Sequence, residues 1–197
     1  MTARRILFVC EGNICRSPYA AAAFSERWET LAGARPTVVS SAGTRAVVGA
    51  PAHELLAGHL QEPSLLDAHV ARQLTAAIVR GQDLVLTMER AQRGAVLDLV
   101  PAALRRTFTL PEVQRLAEPV LDGWNADTLR GADSLHELLG RQRASGAGST
   151  SADDDVADPV LGGAAEFAAM TARIDRAVDE LVALLIRFDS SMAGARR

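Results

Sequence analysis

Cys10 and Arg16 bracket the five residues EGNIC in the segment VCEGNICRSP. A cysteine thiolate is a nucleophile. An arginine carries a planar fork of donors that matches a phosphate. Alone, Cys10 would read as a core cysteine and Arg16 as half of a surface ion pair. Together, with Gly12, Asn13 and Ser17 between and after them, they point to a thiolate aimed at a bound phosphate. Cleaving a phosphate ester also needs a proton for the departing oxygen. The later half of the chain offers Asp153, Asp154, Asp155 and Asp158. Three consecutive aspartates read as a solvated loop. Asp158 differs because Pro159 follows it and stiffens its backbone, so Asp158 is the candidate general acid.

Those residues need elements to hold them. RRILFV (4–9) is a short apolar, β-branched run and reads as the first strand. SPYAAAAFSERWETL (17–31) reads as a helix, with Ser17 as N-cap, Pro18 at the first helical position and Gly33 as its stop. The loop between them can turn its N–H groups inward beside a helix N-terminus, which makes an anion site. At the bottom of that cradle the Cys10 pKa is expected to fall. Further strands are expected at 37–43, 83–88 and 105–110, and helices at 51–60, 69–80, 89–100 and 132–143. Residues 111–124 can carry a short helix, and 144–159 reads as a mobile acidic loop. The longest amphipathic helix is expected over 164–188, with Phe167, Met170, Ile174, Val178, Leu181 and Leu185 on one stripe. Alternating strands and helices imply parallel pairing with right-handed crossovers.

The bulk properties remove other classes. The chain has 197 residues, 48% hydrophobic and 23% charged, with a net charge of -3. Its pI of about 5.8 argues against a nucleic-acid partner. No apolar run approaches the roughly 18 residues of a membrane helix, so no membrane insertion is expected. The four apolar residues before Cys10 are too few for a signal-peptide core of about 7–15 residues. A cytoplasmic location is expected, where two cysteines serve reactivity or packing and not a disulfide scaffold. His53, His59, His69 and His136 are scattered without ligand spacing, and no GxxxxGK[ST] loop is present. Neither metal nor cofactor is expected.

The segment VCEGNICRSP resembles the active-site loop of the low-molecular-weight protein tyrosine phosphatases. SSAGT (40–44), AHVARQLT (68–75), DLVLTMER (83–90) and the Asp158-Pro159 pair before the last long helix resemble further segments of that family. The resemblance implies an α/β fold, a four-stranded parallel sheet flanked by helices on both faces in a flavodoxin-like three-layer sandwich. It implies that Cys10 is the nucleophile, that Arg16 binds the phosphoryl oxygens, and that Ser17 stabilises the thiolate. Glu11, Gly12, Asn13, Ile14, Cys15 and Arg16 would form the phosphate-binding loop. Asn13 would hold a left-handed backbone and, with Ser17, Ser41 and His69, a network that keeps the loop rigid. The partner would be a phosphorylated protein or a small phosphate ester, with phosphotyrosine as the default. The protein itself would be a monomer or weak dimer.

The chain also departs from that family. Val160 follows the Asp-Pro pair where an aromatic residue is usual, and Arg45, Ala46, Val47 and Val48 stand where the pocket wall is often aromatic. Glu11 is expected to point to the rim and to favour basic substrates. Residues 111–157 exceed the compact form of the family and read as a variable segment within a single 1–197 domain, either a lid with Trp124 as a contact or a tolerated insertion. Residues 189–197 read as a flexible tail. Cys15 is either a small residue packed behind the loop or a resolving thiol that traps oxidised Cys10. An arsenate reductase on the same fold would need further cysteines, and none follows Cys15. A silent phosphate-binding module would have lost the nucleophile, the arginine or the acid, and all three candidates are present.

Overall fold

A computed structural model describes residues 3–31, 35–125, 127–130, 132–147 and 154–195. Four parallel strands, β1 (Arg4–Cys10), β2 (Thr37–Gly43), β3 (Leu84–Thr87) and β4 (Thr107–Thr109), form one sheet in the order β2-β1-β3-β4. The helices are α1 (Arg16–Glu29), α2 (Ala76–Arg80), α3 (Arg90–Leu99), α4 (Leu110–Asp122), α5 (Leu135–Gln142) and α6 (Ala164–Ala195). The period of two along β1 divides the core. Ile6, Phe8 and Cys10 join the cluster containing Tyr19, Phe24, Phe167, Ile174 and Leu181, under α1 and α6. Leu7 and Val9 face the other way, against Leu74, Val85 and Val96. This is the three-layer α/β architecture expected.

The register brings Cys10 beside Gly43 and Val9 beside Thr87, so three strands end together. Gly43 is required there, because a Cβ would lie 2.4 Å from the Glu11 carbonyl oxygen. Ligands in such sheets gather at the carboxyl ends of the strands, and the cradle stands at that edge.

Several boundaries differ from the sequence reading. α1 begins at Arg16 with Cys15 as N-cap. Ser17 does not cap the helix, because its hydroxyl is turned onto Cys10. Gly33 lies outside the described residues, and α1 ends earlier, at Glu29. The helix expected over 69–80 shrinks to α2. Residues before it run extended, with Gly43 donating to Arg72 O at 3.0 Å and Leu74 donating to Gly43 O at 2.7 Å. Thr75 then caps α2 by accepting from Ile78 N–H. The 51–60 segment becomes a 3-10 helix over Glu54–His59. Residues 111–122 lie in a core helix, with Val113, Leu116, Ala117 and Val120 buried and α4 packed on α6. Trp124 packs half-buried against the main core. The predicted stripe of α6 is buried throughout. The helix continues through residues 189–195, because Phe188 and Met192 extend the stripe onto the core.

Candidate active site

β1 delivers Cys10 to the floor of the loop, where its side chain is 2% exposed. The loop carbonyls are all engaged on the outside. Thr44 N–H donates to Cys10 O at 2.9 Å, Arg45 N–H to Glu11 O at 3.0 Å, Val47 N–H to Gly12 O at 3.0 Å, and His53 N–H to Ile14 O at 2.8 Å. His69 Nε2 meets Asn13 O at 2.8 Å. A carbonyl only accepts, so His69 Nε2 carries the proton. With its carbonyls turned out, the loop presents its N–H groups to the interior, and Asn13 N–H reaches Cys10 Sγ at 3.2 Å. Such a nest binds anions.

Asn13 holds the turn. Its φ is 57°, in the left-handed region that asparagine tolerates better than most residues. Its Oδ1 accepts the Arg72 N–H at 2.9 Å. That backbone donor fixes the amide orientation, so Nδ2 faces Ser17 Oγ at 3.0 Å and Ser41 Oγ at 2.9 Å. Ser17 Oγ therefore accepts from Asn13 and has its own proton left for Cys10 Sγ, 2.9 Å away. Asn13, Ser17, Ser41 and His69 are thus linked by hydrogen bonds around the loop. Arg72, which the sequence reading left without a role, braces it twice through its N–H and through Nε to Ser41 O at 2.8 Å.

Burial pushes the Cys10 thiol up, and this outweighs Ser17, Arg16 and the Asn13 N–H, which pull it down. Burial thus reverses the expected fall. Arg16 is itself shared between two carboxylates. Its Nη1 pairs with Glu89 and donates to Val156 O at 3.0 Å. Its Nη2 reaches Asp158 Oδ2 at 2.5 Å.

Asp158 is oriented by Val160 N–H, which donates to Oδ1 at 3.2 Å. Its acidic neighbours turn elsewhere. Asp154 pairs with Arg115 and Asp155 with Arg90, while Asp153 lies outside the described residues. Glu89 was not singled out from sequence. The available signal was a charged residue at the carboxyl end of β3.

Cys10, Glu11, Gly12, Ile14, Cys15, Arg16, Arg45, Val47, Asp158 and Val160 line a cavity of about 190 Å³. Ala46 is placed differently from the reading of it as pocket wall. It rests against Gly43, with its N–H on Gln73 Oε1. Glu11 points to the rim, where Arg45 pairs with it. Cys15 is buried, and burial with the Asp158 charge pushes its thiol up to about 12.

A family model described as low molecular weight phosphotyrosine protein phosphatase matches residues 5–118. A low molecular weight protein-tyrosine-phosphatase of Salmonella typhi, Wzb, is 39% identical over 98 residues, which is 49% of this chain and 62% of that protein. The chain therefore aligns with less than two thirds of that relative's length. The crystal structure of the Erwinia amylovora tyrosine phosphatase AmsI superposes with a TM-score of 0.64 at 25% identity, covering 92% of each chain. The YwlE arginine phosphatase of Geobacillus stearothermophilus superposes with a TM-score of 0.61 at 27% identity, covering 91% of this chain and 90% of that one.

Proposed function

The chain belongs to the low molecular weight phosphotyrosine protein phosphatase family, and from that premise we propose that it hydrolyses phosphotyrosine in proteins through a phosphocysteine intermediate. One observation carries this reading. Cys10 Sγ lies at the floor of a loop with outward carbonyls, and Arg16 and Asp158, joined to each other, line the same cavity.

Substrate phosphate displaces Asp158 from Arg16 and takes the guanidinium as its clamp. A proton must then sit on Asp158, and the thiol must give one up. The two changes are coupled, because loss of the Asp158 charge leaves Arg16 free to favour the thiolate. Cys10 Sγ attacks phosphorus in line. The P–O bond to the tyrosine breaks, and Asp158 protonates the departing oxygen. Asp158, now a carboxylate, takes a proton from water, which attacks the phosphocysteine. The S–P bond breaks, phosphate leaves, and Ser17 stabilises the released thiolate.

Ile14, Val47 and Val160 supply an aliphatic slot for the tyrosine ring. Arg45 meets Glu11 at the rim, so the selection of basic substrates by Glu11 would require that pair to open. The likeness to an arginine phosphatase supports a second reading in which a P–N bond is cleaved. Competition between phosphotyrosine and phosphoarginine peptides decides between the two. We read residues 1–197 as one phosphatase domain acting in a reducing, cytoplasmic setting, which keeps Cys10 and Cys15 as free thiols. Acid-quench trapping of phosphate on Cys10 tests the mechanism. Wild type should carry label, Cys10→Ser should carry none, and an unlabelled, inactive but folded wild type refutes it.

A further inference from the structure

The segment carrying Asp158 is neither strand nor helix, yet it must place a half-exposed carboxylate within hydrogen-bond reach of Arg16. Its anchoring lies just upstream. Asp155 accepts the Arg90 N–H at 2.8 Å and the Arg90 guanidinium at 3.1 Å. Asp154, 4% exposed, accepts Arg115 Nη2 at 2.9 Å and Nε at 3.3 Å. Between these ties and the acid, Val156 buries its side chain and donates its N–H to Met88 O at 2.8 Å. Arg90 follows Glu89 directly, and Glu89 pairs with Arg16. The same turn at the start of α3 therefore grips Arg16 through Glu89 and the acid segment through Arg90.

We propose that Asp155–Arg90 and Asp154–Arg115 are positioning pairs that clip the segment to α3 and α4, and so set the aim of Asp158. This rests on the phosphatase reading and on Asp158 as its acid. The aspartate run is then a clasp for the acid three residues downstream, built by side chains that touch neither substrate nor phosphorus. Geometry supports this division. Asp155 joins the first turn of α3, where an anion is favoured by the helix N-terminus, and Arg115 projects from the core helix α4. Two rigid helices thus fix two successive carboxylates, and misplacing a reacting group by about 1 Å can cost on the order of 100-fold in rate.

The leaving group provides the test. Departure of 2,4-dinitrophenolate needs no proton, whereas departure of phenolate does. Asp155→Ala, Arg90→Gln, their double mutant and Arg115→Gln are compared with wild type on both aryl phosphates, reading kcat/KM after circular dichroism confirms folding. Arg90 is exposed at the pair, so Arg90→Gln keeps the test available if Asp155→Ala does not fold. Expected is a loss of about 10-fold or more on phenyl phosphate with a change within about twofold on the dinitrophenyl ester. The Asp155→Ala/Arg90→Gln double mutant should fall no further than Asp155→Ala alone. Arg90→Lys should restore part of the loss. Equal losses on both substrates, or no loss on either, overturn the clip while leaving the phosphatase reading intact. A folded wild type that hydrolyses neither ester overturns both.

Discussion

The two walls of the cavity are held by different forces. On the nucleophile side, Cys10 is framed by a hydrogen-bond network of Asn13, Ser17, Ser41 and His69. On the acid side, residues 154–158 are held by carboxylates on Arg115, Arg90 and Arg16. A hydrogen-bond network whose members all have partners keeps one geometry. An ion pair open to solvent, as Asp155 with Arg90 is, holds less firmly, and the Asp158 carboxylate on Arg16 is itself open to solvent. The contrast suits the proposed chemistry, in which the nucleophile stays in line with phosphorus while Asp158 releases Arg16, gives up a proton and takes another.

The strongest way to break the contrast is Cys10→Ser, which should lower turnover by on the order of 10⁴-fold or more on every ester, whatever its leaving group. Next is Arg16→Lys. It keeps the charge but loses the fork, so kcat should fall by roughly 10²–10³-fold, again independently of the leaving group. Asp158→Asn should separate the walls. Read in kcat/KM, which reports the first chemical step, its loss should reach about 10²–10⁴-fold on phenyl phosphate and shrink on the dinitrophenyl ester. A uniform loss would place the acid elsewhere.

Smaller effects probe the nucleophile wall. Asn13→Ala leaves buried partners unpaired and a Cβ residue at positive φ. Denaturant melts should show a loss of about 1–3 kcal/mol. Asn13→Gly relieves only the backbone part, about 1 kcal/mol, so the two variants divide the cost. The smallest effect concerns Cys15. Its folded value, about 12, lies above the ordinary 9.0. The unfolded chain therefore releases that proton first as pH rises. The resulting contribution to stability is intact below pH 9.0 and is lost between that value and about 12. Cys15→Ala should lose less stability than wild type between about pH 8 and 10, checked by melts at both values.

Much of the nucleophile wall was legible in consecutive residues. Strand, loop and helix follow one another from Arg4 to Glu29, and the left-handed Asn13 sits inside that run. The stripe of α6 was equally plain, because periodicity is a local signal. Where the chain was misread, a distant partner had overridden local preference. Residues 69–75 look helical but run extended against Gly43 and Asn13. The run of aspartates looks solvated, but Asp154 and Asp155 end on arginines of α4 and α3.

The sequence by itself marked the candidate phosphate cradle, since the five residues between β1 and α1, with Cys10 and Arg16 at their ends, lie in one consecutive run. It also marked Asp158, through the proline beside it. Only the tertiary structure decided that Asp158 meets Arg16, that Glu89 shares the guanidinium, and that Arg72 orients the Asn13 amide. Those contacts join residues 142, 73 and 59 positions apart. Only a sheet with helices packed on both faces brings such residues together, because no local rule relates side chains across that length of chain. The same packing decided the state of the thiol. Motif and spacing promised Cys10 a lowered pKa, but burial among Phe8, Tyr19 and their neighbours raises it.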